Sequence, residues 1–198
     1  MMRFINWPNP GKVLLILIAP LLVACAGQSV PDRYYLLSPS AGQAIASSAQ
    51  ARVIGVGPIT TPSYLDRSTI VTRGAENSPA VNVGHRWAEP LGENINRVLM
   101  DNFEQTGKAR RLEMFPWTSR DGVELQVVVD IDRFEKQPDG QVVLSARWKL
   151  IGFEQGNIAA ANRYMGVDQP TDGSVESTVV SMSKLLGGLT AEIASVIP

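Results

Sequence analysis

The segment that most restricts the fold is a pair of alternating runs joined by a turn. Leu125–Asp132 (LQVVVDID) and Val142–Leu150 (VVLSARWKL) flank Pro138-Asp139-Gly140-Gln141. Asp-Gly is the favoured pair for a tight hairpin, because both residues tolerate the backbone conformations that its turn demands. With Asp139 and Gly140 in the two turn positions, paired residue numbers sum to 279. That register sets Asp132 against Arg147, Asp130 against Lys149, Ile131 against Trp148 and Val129 against Leu150. One face becomes apolar and the other a ladder of opposite charges, as in a half-buried antiparallel pair.

Other segments extend the same pattern. Asp32–Leu37 (DRYYLL) reads as a short strand, as do Val53–Ile59, Ser68–Arg73 and Ala80–Trp87, which Pro58, Pro62 and Pro79 bound. Leu112–Phe115 and Ile158–Gly166 are expected to add further strands. Gly57 suits a bulge or turn; Gly55-x-Gly57 lacks the third glycine and the following helix of a dinucleotide loop. Between Glu89 and Thr106 the period changes: Leu91, Ile95, Val98, Leu99 and Phe103 fall on one helical face, with Pro90 in the first turn and Gly107 as the cap. A second helix is predicted over 173–196, weakened by Gly187-Gly188, where a kink or break is expected. These elements predict an α/β or α+β fold: a mixed, largely antiparallel sheet packed by two main helices, in one domain.

Ahead of the domain, Val13–Ala24 (VLLILIAPLLVA) is apolar apart from Pro20 and follows Arg3 and Lys12. Twelve residues with a proline inside are too few to span a bilayer, which takes about 20. The order charged, apolar, small is that of a secretory leader. Leu22-Val23-Ala24-Cys25 resembles a bacterial lipobox, in which the thiol receives a diacylglycerol and becomes the new N-terminus. Cys25 is the single cysteine, so acylation also accounts for an otherwise odd thiol in an oxidising compartment. Several acyl chains would hold the domain on the membrane, and Ala26, where aspartate would favour inner-membrane retention, points to the outer one. The expected organisation is a leader over 1–24, a lipid-anchored segment and linker with one short strand over 25–50, and a periplasmic domain over 51–198.

The residues offer little for catalysis. His85 is the only histidine and lies on a strand with no nucleophile motif nearby, so it reads as structural. Asp130 and Asp132 share a strand face, but each has a basic residue across the hairpin. One histidine and one cysteine cannot make a structural zinc site, and no cofactor is expected. Removing residues 1–24 leaves 16 basic against 19 acidic groups, which gives no electrostatic case for nucleic acid. Two loops, Tyr64-Leu65-Asp66-Arg67 and Trp87-Ala88-Glu89-Pro90-Leu91, carry the aromatic and arginine side chains that anchor interfaces. Tyr64, Leu65, Arg67 and Trp87 are the candidate partner-binding residues.

The lipobox at Cys25, Tyr34-Tyr35-Leu36-Leu37, Val53–Ile59 with Gly57-Pro58, Tyr64–Arg67, Ile70-Val71-Thr72-Arg73 and Trp87–Leu91 before a helix together resemble the ABC-type transport auxiliary lipoprotein family, to which the paraquat-inducible PqiC lipoproteins belong. Their order and spacing cover nearly the whole mature chain. The resemblance implies a periplasm-facing lipoprotein that partners an MCE-domain protein, often beside an ABC transporter, in moving lipids or other hydrophobic molecules between the two membranes. It implies no nucleotide site and no active-site residue; only Cys25 carries over with a chemical role. Because such conduits are rings, a symmetric homo-oligomer is the expected match. The competing readings are an envelope ligand-binding or scaffolding lipoprotein with an acyl-sized pocket between sheet and helices, and a tethered hydrolase using His85 or the aspartate pair.

Overall fold

Pro138 decides how the central hairpin closes. A two-residue turn over Asp139-Gly140 would need residue 138 to donate its backbone N–H to Gln141, and proline has none. The computed structural model describes residues 31–198 apart from 41–45, 47, 76–77, 118, 120–121 and 154–156. In it the closing pair lies one residue further out: Gln137 N donates to Gln141 O at 2.7 Å, and Gly140 N donates to Gln137 O at 3.0 Å. Pro138 and Asp139 form the turn and Gly140 follows at φ 90°, a three-residue loop in place of the expected two.

Strands β6 (Leu125–Lys136) and β7 (Val142–Gly152) consequently reach closer to the turn than the alternation suggests. Phe134 pairs with Leu144; then a bulge between Ile131 and Arg133 sets Ile131 against Ala146, Asp130 against Arg147 and Val129 against Trp148. Beyond the bulge the expected register is therefore off by two. An even slip keeps every side chain on its expected face, which is why the sorting into apolar and charged sides survives.

The class is α+β, with two helices and eight strands among the described residues. The strands divide into two sheets where one was expected. In the larger, the order is β5-β2-β6-β7-β8, with β2 (Arg52–Thr60), β5 (Ala109–Met114) and β8 (Asn157–Asp168). In the smaller it is β1-β4-β3, from Arg33–Tyr35, Pro79–Trp87 and Thr69–Arg73 respectively. β2 runs parallel to both neighbours and β1 parallel to β4, while the long ladders β6–β7 and β7–β8 are antiparallel. Pro58 lies inside β2 rather than at its end. There Gly57, at φ 112°, sits where the register against β6 shifts between Val56 and Ile59, which is the bulge expected of this glycine.

Helices α1 (Leu91–Gln105) and α2 (Val175–Ser195) pack on each other and on one face of the larger sheet. Leu91, Ile95, Val98, Leu99 and Phe103 of α1 are all buried, as their spacing requires. From the sheet, Ile54, Val127, Val129, Phe134, Leu144 and Leu150 meet Leu186, Leu189 and Ile193 of α2 in a single core. Pro90 stands at the N-cap, one position before the expected first turn, and its carbonyl accepts from Asn94 N at 3.1 Å.

Two buried asparagines on α1 complete the packing. Asn94 Oδ1 accepts from Leu37 N at 2.7 Å and Asn102 Oδ1 from Ser40 N at 2.8 Å, while Ser183 Oγ of α2 accepts from Ser38 N at 3.1 Å. The chain after β1 is thus held along both helices, with Leu37 in the core. The folded unit accordingly begins at Asp32.

Gly187-Gly188 neither kinks nor breaks α2, which is continuous from Val175 to Ser195. Their use is steric. A Cβ at Gly187 would lie 1.8 Å from Ser40 Oγ, and one at Gly188 would lie 2.3 Å from the Tyr164 hydroxyl. Gly188→Ala is expected to destabilise the domain by about 1 kcal/mol, because displacing a packed tyrosine outweighs the gain in helix propensity. Chemical denaturation of Gly188→Ala, Tyr164→Phe and the double variant checks this. If the Phe substitution restores nothing, the close approach is not the cause.

Candidate functional site

Proline, a short turn and one buried leucine fix the first candidate loop. Leu65 N donates to Pro62 O at 2.9 Å, Asp66 N to Ser63 O at 3.2 Å and Arg67 N to Leu65 O at 2.8 Å. Trp87 N then donates to Ser68 O at 2.7 Å, which ties this loop to the second. Asp66, Arg67, Ser68, Trp87, Ala88, Glu89 and Pro90 border a shallow groove of about 300 Å³, so the structure brings together the two loops singled out in the sequence.

Their side chains divide by role. Leu65, at 2% exposure, and Trp87, at 5%, are core residues, and what they offer a partner is the placement of the loops. Arg67 is exposed at the rim. Glu89 is held by an ion pair with Arg97 on α1. Tyr64 is half-buried and turns away from the groove toward Glu135.

Glu135 is the polar hub that the sequence reading missed. Its carboxylate has no solvent exposure. It accepts from the Tyr64 hydroxyl at 2.5 Å, from Arg73 Nη2 at 2.9 Å and Nε at 3.2 Å, and from Phe134 N at 3.1 Å; Gln137 Nε2 lies at 3.3 Å and Arg133 Nε at 3.5 Å. Burial pushes its pKa up, but the hydrogen bonds from Tyr64, Arg73 and Gln137 outweigh that and leave it below the usual glutamate range. Burial, and then the hydrogen bond to this carboxylate, push the Tyr64 phenol well above its ordinary value. Arg73 also lies over the Tyr64 ring, 5.9 Å from its centre. The cluster therefore joins the Tyr64 loop, β3 and β6 rather than presenting a reactive group. Alternation alone hid it: continued from Val127, Val129 and Ile131 it would put Arg133 and Glu135 on the apolar face, and only the bulge after Ile131 brings Phe134 into the core and turns Glu135 to the other side.

The residues weighed for catalysis are occupied in other ways. His85 Nδ1 lies 2.7 Å from the Tyr35 hydroxyl, with the rings stacked at 5.5 Å. That hydroxyl donates to Glu176 Oε1 at 2.9 Å, so the tyrosine accepts from the histidine. Asp130 accepts from Thr60 Oγ1 at 2.5 Å, and Asp132 accepts from Arg147 Nη2 at 3.0 Å and Arg163 Nη2 at 2.7 Å. Both aspartates lie on the sheet face away from the helices. Among the described residues no group of three or more His, Cys, Asp or Glu could hold a metal, and no helix is long and apolar enough to cross a membrane. Cys25 and the leader lie outside the described residues.

What fold and site define is an α+β domain whose polar clusters lock loops together and whose surface presents a groove between two of them. The same fold occurs in a crystal structure of an uncharacterised protein, with a TM-score of 0.70 at 18% identity over 85% of this chain and 99% of that one. It occurs again in protein XCC0632 from Xanthomonas campestris, with a TM-score of 0.66 at 16% identity over 82% and 92% of the two chains. No curated protein matches. The model of the ABC-type transport auxiliary lipoprotein component family matches residues 34–194, and the chain belongs to that family.

Proposed function

We propose that the chain is a lipoprotein acylated on Cys25 after removal of residues 1–24, anchored in the outer membrane and facing the periplasm, and that it serves without catalysis as a docking component for an MCE-domain protein in intermembrane lipid transport. Family membership over residues 34–194 carries this reading, since it makes the chain an auxiliary component of ABC-type transport. The groove between the Tyr64 and Trp87 loops supports docking, with Arg67 at its rim as the side chain that reaches a partner. The alternative of a ligand carrier is less well supported. Its pocket would lie between sheet and helices, where Phe103, Phe134, Leu144, Leu186 and Leu189 are fully buried against one another.

A homo-oligomer fits the same role. β8 forms a free edge of the larger sheet and exposes Ile158, Met165 and Val167, which suits contact with a second copy. The test is purification of the tagged lipoprotein in mild detergent, which is expected to bring an MCE-domain protein with it. Arg67→Glu is expected to reduce the recovered partner about tenfold, as loss of an interface arginine does. Recovery of the lipoprotein alone, under conditions that keep other envelope complexes intact, rejects the docking role.

A further inference from the structure

Strand β1 lies at the edge of the smaller sheet, parallel to β4, with Arg33 opposite His85, Tyr34 opposite Arg86 and Tyr35 opposite Trp87. That register brings it to the groove, because Trp87, Ala88 and, on the facing loop, Ser68 all border it. Tyr35 O accepts from Ala88 N at 2.9 Å, which fixes the backbone just where the chain leaves β4 for α1. Arg86 secures the other bank. Its Nε donates to Asp32 Oδ2 at 2.6 Å and its Nη1 to Ser68 Oγ at 3.1 Å, so one guanidinium spans from the residue before β1 to the groove wall. Each bank therefore has a bond that leads to β1 or to the residue beside it.

β1 itself is three residues long and is held largely by side chains. Arg33 Nη1 and the Tyr35 hydroxyl both donate to Glu176 Oε1 at the start of α2, at 3.2 and 2.9 Å, and the same hydroxyl lies 2.7 Å from His85 Nδ1. A short, exposed edge strand paired in parallel opens at lower cost than the core does. When it opens, Ala88 N–H loses its acceptor and Arg86 its anion, while Leu37 is held separately by Asn94.

We infer that β1 sets the shape of the docking groove, with Asp32 and Tyr35 as positioning residues that act through Arg86 and Ala88; the inference rests on the reading of the groove as the docking site. Neither residue borders the groove, so each acts without touching the partner. Coupling of this kind is reciprocal: closure of β1 favours docking, and a partner in the groove holds β1 closed.

The test compares wild type, Asp32→Ala/Tyr35→Phe, Asp32→Glu and Arg67→Glu as tagged mature lipoproteins in mild detergent. Two readouts are taken: hydrogen exchange at the Ala88 and Leu99 amides by fragment-resolved mass spectrometry, and the amount of MCE-domain protein recovered. In the double variant exchange at Ala88 is expected to be about tenfold faster, since two partly exposed polar contacts worth a few-fold each multiply when independent. Leu99, in the core of α1, is expected to be unchanged, recovery to fall several-fold, and Asp32→Glu, which keeps a carboxylate for Arg86, to behave as wild type. Unchanged exchange at Ala88, or equal acceleration at Ala88 and Leu99, overturns the positioning role, the second because the domain as a whole has loosened. Wild-type recovery with the double variant, while Arg67→Glu lowers it, overturns the coupling and leaves the groove as the docking site. Wild-type recovery with both rejects the groove reading, and the inference with it.

Discussion

The mature domain with Cys25→Ala, secreted behind an ordinary cleavable leader, is expected in the soluble periplasmic fraction, whereas the wild-type chain is expected in the membrane pellet and to stay there in high salt. The size of the effect follows from the hydrocarbon involved. Each buried methylene contributes about 0.8 kcal/mol, so one 14-carbon chain gives marginal binding of about 10⁴ M⁻¹ and two or more give a near-permanent anchor. Among the described residues no helix is long and apolar enough to cross a membrane. Unchanged pelleting of the Cys25→Ala domain would reject acylation as the anchor.

Glu135→Ala is expected to destabilise the domain by about 3 kcal/mol. Breaking a buried pair commonly costs about 3–5 kcal/mol, and this case lies at the low end because the arginines left behind, 28% exposed at Arg73 and 41% at Arg133, keep some access to water. The lost contacts join three elements, so the Tyr64 loop and β3 loosen together. The pH dependence has a definite sign. The folded-state pKa of Glu135 lies below the unfolded one, so the carboxylate contributes stability that is complete above the ordinary glutamate value of about 4.3 and is lost as pH falls through the depressed value. Glu124, whose carboxyl is held down chiefly by its hydrogen bond from Arg52, shares this acid limb. Glu135→Gln should therefore flatten the limb without abolishing it. Equal acid sensitivity in wild type and Glu135→Gln, measured by urea midpoints from pH 3 to pH 7, would show that the hub contributes nothing through its charge.

What could be read from the sequence depended on period. The alternation of Leu125–Asp132 and Val142–Leu150 placed two central strands, and the spacing of Leu91 to Phe103 placed α1 with its buried face. Local chemistry at single positions was harder to weigh. Pro138 lacks the N–H that a two-residue turn needs, and this outweighed the Asp-Gly preference. Gly187-Gly188 looked like a defect because helix propensity counts only the helix itself, whereas the reason for the glycines lies on Ser40 and Tyr164, distant in sequence. The division into two sheets was not legible for the same reason, since β1 finds β4 across some 50 residues. The Tyr64 and Trp87 loops were each singled out by their residue types, but that they adjoin, and which of their side chains turn inward, depends on packing. Leu65 and Trp87 are buried, and Tyr64 is drawn away by a glutamate that the expected strand end had excluded.

The latching of residues 37–40 by Asn94, Ser183 and Asn102 has a mechanical consequence. A pull at Asp32 meets the β1–β4 ladder first, then Leu37 seated in the core, then three hydrogen bonds spread over two helices. A load applied through the preceding chain is shared between both helices instead of unzipping a loose end, so this segment cannot be drawn out without first prising a leucine from the interior.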